Sequence, residues 1–309
     1  MLDIISYNTE EYDYPCLLVL GCFDAIHLGH DKLLKEARLQ AKINGLDLGV
    51  MMFTEGKGGK QIYSFEERVS LLEQYNVKFV LKIDFNDEFK KIKPLDFLET
   101  IEDKLNVKAY MSGKDFRYGA KASGKSSTLK KYAEDEENGV WYIPVKDVLY
   151  GEEKISTTRI KELIENGRVK KVSKMLGRPF SVTGEVVKGE GRGKSLGYPT
   201  LNLNYPEYKV QIKHGVYGVE CTVGDETYKG VANYGNKPTY DNEDVQLEVY
   251  LEGFSGDLYG QTVTVNFLRY IRDIHKFNSD EELKAQLAED IAKVCSEEHS
   301  DEGCAEEND

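Results

Sequence analysis

Cysteine, proline and tryptophan are scarce in this chain of 309 residues, at five, seven and one. The cysteines (16, 22, 221, 295 and 304) form no C-x-x-C pair and have no histidine at metal-ligand spacing, which argues against a zinc ribbon and a disulfide scaffold alike. Long apolar runs are also missing: nothing approaches the roughly 18 consecutive apolar residues of a membrane span. Residues 1–14 are polar and acidic, without the basic and apolar stretches of a signal peptide. By elimination the expected compartment is the cytoplasm, with no membrane partner.

Positive charge is in short supply as well. Lys and Arg number 41 against 54 Asp and Glu, a net charge of −13, so nucleic acid, which favours a basic patch, is not an expected partner. The deficit is uneven, because seven acidic residues and no Lys or Arg fall within 296–309. The rest of the chain carries about −6, ordinary for its size. That end reads as a solvated, disordered acidic tail.

What remains suffices for two domains, each able to bury its own core. Hydrophobic residues make up 40% and aromatics 11%, so disorder is not expected for the body. Twenty tyrosines point to half-buried sheet.

The first half alternates short apolar runs with helical spacing. Strands are expected at 17–20, 48–53, 77–83, 107–111 and 141–145. Leu33, Leu34, Ala37 and Ala41 recur as a helix face that Asn44-Gly45 ends. Ser64-Phe65-Glu66-Glu67 is a capping box opening another helix, and a third is expected over 95–105. This alternation predicts a mostly parallel sheet with helices on both faces. After a helical pair at 158–165 and 168–176 the rhythm changes. Strand-like runs at 180–188, 216–223, 228–234, 245–251 and 263–268, separated by turns, predict an antiparallel barrel or sandwich. A last helix over 279–294 starts from the Ser279/Glu282 pair. The domain boundary is expected near Gly177.

Four segments carry chemistry. Gly21-Cys22-Phe23-Asp24-Ala25-Ile26-His27-Leu28-Gly29-His30 joins a strand to a helix, placing two imidazoles and free N–H groups at a helix N-terminus where an anion is stabilised. Alone, His27 and His30 read as readily as a cap and a surface residue. Ile155-Ser156-Thr157-Thr158-Arg159-Ile160 sets hydroxyls and an Arg at a helix start, a phosphate holder or an ordinary N-cap. Gly113-Lys114-Asp115-Phe116-Arg117-Tyr118-Gly119 is by itself a glycine-bounded loop. The stretch from Gly184 to Asn202 is glycine-rich without Walker A spacing, and its glycines free N–H groups for an anion cradle. Thr200 and Asn202 alternate on a short strand and present two hard oxygens on one face, as Mg²⁺ beside phosphates requires. A plain glycine-rich hairpin is the alternative.

Taken together these strings resemble known signatures. Residues 21–30 are similar to the H-x-G-H signature of the nucleotidyltransferase superfamily, and 155–160 to its I-S-S-T-R-I-R segment. Residues 113–119 resemble the G-x-D-F-R-F-G loop of prokaryotic FAD synthetase modules. Residues 184–202 resemble the G-x-x-G-R-x-L-G-x-P-T-x-N signature of riboflavin kinases, followed in order by Gly215-Val216-Tyr217, Asn233-Tyr234-Gly235-Asn236-Lys237-Pro238-Thr239, Leu247-Glu248-Val249-Tyr250-Leu251 and Ile271-Arg272. The whole resembles the bifunctional riboflavin kinase/FAD synthetase family of bacteria.

The resemblance implies an α/β fold with a Rossmann-like nucleotidyltransferase domain (1–177), then a riboflavin kinase β-barrel with a terminal helix (178–295) and the tail (296–309). It implies conversion of riboflavin and ATP to FMN, then of FMN and ATP to FAD and pyrophosphate, with Mg²⁺. His27 and His30 would be catalytic in the first domain, with Gly21, Phe23, Asp24, Gly29, Ser156, Thr157 and Arg159 on ATP. In the barrel Glu248 would be the base. Gly189, Gly191, Lys194, Gly197, Thr200 and Asn202 would hold ATP, the last two also the metal. Asp115, Phe116, Arg117 and Arg272 would meet flavin.

The sequence departs from the family pattern at three places. Residues 53–60 carry three glycines and two lysines in place of Phe-x-Pro-x-Pro, so this loop is expected to be more mobile. Lys161 stands for a second Arg, and Ile274 for an acidic residue. Two other readings stay open: a riboflavin kinase with an inactive N-terminal scaffold, and a flavin-binding regulator without turnover. Oligomeric state is not legible.

Overall fold

The structure, a computed structural model, describes residues 2–7, 10–55, 59–189, 193, 197–236 and 245–295. Contacts divide the chain into two units, Met1–Arg159 and Ile160–Asp309. The division falls earlier than expected from Gly177, because helix α6 (Val169–Leu176) packs against strands β11 (Phe180–Val187) and β16 (Thr262–Arg272) of the barrel. The expected tail lies outside the described residues.

The first unit is a six-stranded parallel sheet in the order β1-β4-β3-β2-β5-β8. Its strands are β1 (Asp3–Ser6), β2 (Tyr12–Leu20), β3 (Asp47–Phe53), β4 (Phe79–Ile83), β5 (Leu105–Gly113) and β8 (Trp141–Val145). Side chains alternate across the sheet. Leu17, Val19, Val50 and Val80 pack with Leu33, Leu34, Ala37 and Ala41 of α1 (Leu28–Asn44) and Leu72 of α2 (Phe65–Leu72). Leu18, Leu20, Met51 and Leu81 face the other way, onto Phe97, Leu98 and Ile101 of α3 (Pro94–Lys104). Both faces are therefore buried, as an all-parallel sheet requires.

The local signals act as read. Gly45 ends α1 in a left-handed conformation and donates its N–H to Ala41. The Ser64/Glu67 capping box closes both of its bonds. Additional to the expected pattern are edge strand β1, helix α4 (Ser126–Ala133), and the two-residue-strand hairpins β6 (Arg117–Tyr118)/β7 (Gly124–Lys125) and β9 (Leu149–Tyr150)/β10 (Glu153–Lys154).

After α5 (Thr157–Glu165) and α6, the second unit closes into a six-stranded antiparallel barrel, β11-β12-β15-β14-β13-β16. The remaining strands are β12 (Thr200–Asn204), β13 (Gly215–Val223), β14 (Glu226–Asn236) and β15 (Val245–Leu251). Phe180, Val182, Tyr217, Tyr234, Leu247, Val249 and Phe267 are buried. Closure removes the exposed edges that an open sheet would carry. The last helix, α7 (Asp280–Cys295), packs on β13 and β14 through Ile291 and Val294.

Candidate active sites

Parallel strands bring all their carboxyl ends to one edge, and the order β3-β2-β5 makes the gap between β2 and β5 the topological switch point, where ligands bind in open α/β sheets. The segments 21–30 and 113–119 follow those two strands. The turn after β2 is strained: Phe23 and Ile26 hold φ of 50° and 42°, in the left-handed region that non-glycine residues avoid. Such positions cost of order 1–3 kcal/mol each. Burial of both side chains holds them in place.

His27 caps α1. Its Nδ1 accepts the backbone N–H groups of Gly29 at 3.1 Å and His30 at 3.3 Å. A ring nitrogen that accepts carries no proton, so the neutral imidazole holds its hydrogen on Nε2, which is a donor. The His30 ring stacks on His27 at 3.9 Å with 11° between planes, and Phe23 lies 4.7 Å from His30. A Cβ at Gly29 would come 2.9 Å from His27 Cε1, and one at Gly21 would come 2.6 Å from Phe23 Cε2. Both glycines thus serve the ring stack directly.

Asp24 is buried, and its Oδ1 accepts the N–H of Ile62 at 2.9 Å. That bond ties the turn to the loop after β3. Arg68, which no sequence motif marks, secures the same loop from the helix side. Its guanidinium is 1% exposed and donates to the carbonyls of Phe53 (2.9 Å), Thr54 (2.9 Å) and Ser64 (3.0 Å) and to Gln61 Oε1 (3.3 Å). Burial pulls the guanidinium pKa down, and Asp24 opposes that shift. Both flanks of the loop expected to be mobile are therefore anchored. Its centre, residues 56–58, lies outside the described residues.

Ser156 Oγ accepts the Arg159 N–H at 3.3 Å, and Thr157 is the first residue of α5. Arg159 turns to the β9/β10 hairpin. It pairs with Glu153 at 2.7 Å and donates to the carbonyls of Tyr150 and Glu153 at 3.3 Å each. Asp115 is ion-paired with Lys154, which also meets Asp147 at 2.7 Å. Burial works against that ammonium, but the two carboxylates outweigh it and raise its pKa. Phe116 stacks on Tyr118 at 5.7 Å, 8° from parallel. A cavity of about 360 Å³ lies beside them, lined by Phe53, Phe85, Phe89, Phe97, Phe116 and Tyr118.

The barrel site is a matter of register. β12 pairs Asn202 with Glu248 of β15, and β14 pairs Asn233 with the same Glu248. Leu247, Val249 and Leu251 are buried while Gln246, Glu248 and Tyr250 are half-buried, so the row Asn202–Glu248–Asn233 lies on the outer face. Thr200, two residues from Asn202, is on the same face. Asn202 is 7% exposed, and its Oδ1 is buried without a hydrogen-bond partner among the described residues. A Cβ on Gly189 would land on the Asn202 amide, and one on Gly193 would come 3.2 Å from Thr200 Oγ1. Gly189→Ala should displace the Asn202 amide and lower the activity that this row supports on the order of 10–100-fold, with the chemistry of the parallel-sheet unit unchanged in the same preparation. Gly197 sits in a turn at φ 87°. Gly191 and Lys194 lie outside the described residues, as do 237–244.

Arg272 is a fastener. Its Nε and Nη2 donate to Oδ2 of Asp290 at 3.0 and 2.8 Å, and Asp290 is fully buried in α7. Nη1 donates to the Asp273 carbonyl at 3.1 Å. Arg272→Leu leaves that carboxylate buried without its cation and should cost about 3–5 kcal/mol, read as a lowered urea midpoint. Adding Asp290→Asn should recover part of it.

A family model for riboflavin kinase matches residues 176–296, and one for FAD synthetase matches 9–159. The bifunctional riboflavin kinase/FMN adenylyltransferase of Bacillus subtilis is 31% identical over 91% of this chain and 92% of its own. That of Escherichia coli K12 is 32% identical over 89% and 90%. A solved structure titled as a macrolide-efflux protein from Streptococcus pneumoniae superposes with a TM-score of 0.86 at 31% identity, over 94% of this chain and 97% of that one. Among the described residues no helix is long and apolar enough to cross a membrane.

Proposed function

This chain belongs to the bifunctional riboflavin kinase/FMN adenylyltransferase family, and from that premise we propose that its barrel phosphorylates riboflavin at Glu248 and its parallel-sheet unit adenylylates the resulting FMN at His27 and His30. The observation that carries the reading is the register row on the barrel: a carboxylate flanked by two amides, one of which has a buried carbonyl oxygen with no hydrogen-bond partner among the described residues.

In the kinase step the riboflavin 5′-hydroxyl oxygen bonds to the γ-phosphorus of ATP, the bond from that phosphorus to the β-bridging oxygen breaks, and ADP leaves. Glu248 takes the hydroxyl proton, for which it must only be ionised and within reach. Mg²⁺ fits this site: Asn202 Oδ1 lacks a partner among the described residues and Thr200 shares its face, neutral oxygens of the kind hard cations take. The ion supplies charge neutralisation at the phosphates when bound. Gly189 allows Asn202 its close approach.

In the adenylyl transfer an FMN phosphate oxygen bonds to the α-phosphorus while pyrophosphate departs. No covalent nucleophile from the protein is needed. The catalysis is positional and electrostatic, with the His27 Nε2–H and the N-terminus of α1 facing charge that grows on the α-phosphoryl oxygens. The aromatic cavity beside Phe116 suits the flat flavin ring.

Purified protein given riboflavin, ATP and Mg²⁺ should yield FMN and then FAD, with ADP and pyrophosphate as co-products, resolved by chromatography. Flavin binding without either product would sink the reading.

A further inference from the structure

The loop after β3 and the turn after β2 leave the same edge of the parallel sheet. One buried cation bonds to the first and, through it, reaches the second. Arg68 and Leu72 are the buried residues of α2, so a guanidinium occupies a place where an apolar side chain would be expected. A charge in such a place must have its N–H groups satisfied, since burial without partners is costly. Nε donates to the Ser64 carbonyl, Nη1 to that of Phe53, and Nη2 to that of Thr54 and to Gln61 Oε1. All four acceptors are neutral, and they belong to the two ends of one loop. Phe53 is the last residue of β3, and Ser64 caps α2. Thr54 is bound in turn to the end of β4, its N–H to the Ile83 carbonyl and its hydroxyl to Asp84. The guanidinium therefore fixes how the loop's ends stand to each other, a task for a planar fork rather than a point charge.

Gln61 leads on to the His27 turn. It and its neighbours Ile62 and Tyr63 are buried, and the Ile62 N–H donates to Asp24 Oδ1 at 2.9 Å. Asp24 stands between Phe23 and Ile26, the two residues of that turn held at positive φ. Strained residues of this kind persist only where the surroundings over-determine them. Packing does part of this through Phe23 and Ile26, and the Asp24 bond adds a polar tie. Burial works against the Arg68 guanidinium, and of the charges around it Asp24 favours it most, ahead of Glu66 and Glu67. Asp24, which the family resemblance assigns to ATP, is 6% exposed and has one carboxylate oxygen on the protein's own backbone.

We propose that Arg68 is a positioning residue for adenylyl transfer, acting through Ile62 and Asp24 on the turn that aims His27 and the N-terminus of α1. Neither Arg68 nor Asp24 need touch a substrate for this. The His27 ring is fixed to the helix end by the N–H groups of Gly29 and His30, so the turn before it sets where Nε2 lies. A displacement of about 1 Å at reacting groups can cost on the order of 100-fold in rate. Such a fault appears in the chemical step rather than in uniform substrate binding. The inference rests on the adenylyl-transfer reading above and can fail separately from it.

The test compares the full wild-type chain with Arg68→Met, Arg68→Lys, Asp24→Ala and the Arg68→Met/Asp24→Ala double variant. Hydrogen exchange of the Ile62 amide, read by NMR, reports the tie itself, and the amides of β2 and β3 check that the unit is folded. We expect the Ile62 amide to exchange at least about tenfold faster in Arg68→Met, where the loop ends are released. The kcat for FAD formation should fall on the order of 10–100-fold in Arg68→Met and in Asp24→Ala. The KM values for ATP and FMN should stay constant within about twofold. The double variant should lose no more than the worse single one, since both residues act along one chain of contacts. Arg68→Lys keeps the cation without the fork and should recover part of the rate; it also carries the comparison if Arg68→Met does not fold. An unchanged kcat, a loss confined to KM, or single losses that multiply in the double variant overturns the inference. If wild-type protein makes no FAD, the functional reading fails, while the Ile62 exchange still decides whether Arg68 holds the turn.

Discussion

Glu248→Gln stops FMN formation from riboflavin and leaves conversion of supplied FMN to FAD intact. The substitution keeps the size and shape of the side chain and its place between Asn202 and Asn233, so it removes the base and little else. General-base catalysis is worth about 10²–10⁴-fold, and a loss in that range is expected, measured as the initial rate of FMN appearance. A barrel that only sensed flavin would show no such loss. Because Glu248 lies in the second unit and the His27 turn in the first, the adenylyl transfer rate serves as an internal standard for folding and concentration.

His27→Ser produces the reciprocal phenotype: riboflavin is converted to FMN, which accumulates. Serine is chosen because His27 does two things at once. Its Nδ1 caps α1, and removal of a cap costs typically about 1 kcal/mol. Its Nε2–H points the other way in function, as a donor to the reacting phosphoryl group. Serine restores a cap acceptor without an imidazole donor, so stability should stay near wild type while FAD formation falls on the order of 10²–10³-fold, the scale of losing one transition-state hydrogen bond in a site closed to water. His27→Ala should lose both. Thermal melts separate the two effects: equal melting temperatures for His27→Ser and wild type, with unequal FAD rates, assign the rate loss to the imidazole.

The parts of this architecture that the sequence displayed openly are those encoded by local chemistry. Gly45, the Ser64/Glu67 box and the spacing of Leu33, Leu34, Ala37 and Ala41 each act within one or two helical turns, and each appears in the structure as read. Strand β8 also matched its expected bounds, because its residues form a short run bounded by turns. Strand β1 gave no comparable signal: in four residues only Ile5 is buried, too little for a period of two to emerge. Helix α4 buries a single residue, Leu129, and so carries no apolar stripe.

The candidate sites divide along the same line. His27, Thr200, Asn202 and Glu248 were recognisable from contiguous strings, whereas the row that joins Asn202 to Glu248 and Asn233 depends on register between strands far apart in sequence. Arg68 looks like one more cation on the polar side of α2, and only its burial against the carbonyls of residues 53, 54 and 64 shows its role. For Arg272 the string resemblance suggested a flavin contact, while its pairing with a fully buried carboxylate 18 residues later in the chain depends on packing that no string displays.

The central claim is that one chain carries two independent transfer sites, and mixing the two variants tests it most directly. Glu248→Gln and His27→Ser are each incubated with riboflavin, ATP and Mg²⁺, then combined in equal amounts, and flavins are quantified by chromatography. Alone, the first should leave riboflavin unchanged and the second should stop at FMN. Together they should form FAD, because FMN released by the intact barrel of one variant is adenylylated by the intact sheet unit of the other. A mixture that forms no FAD, or two variants that halt at the same step, would contradict the account.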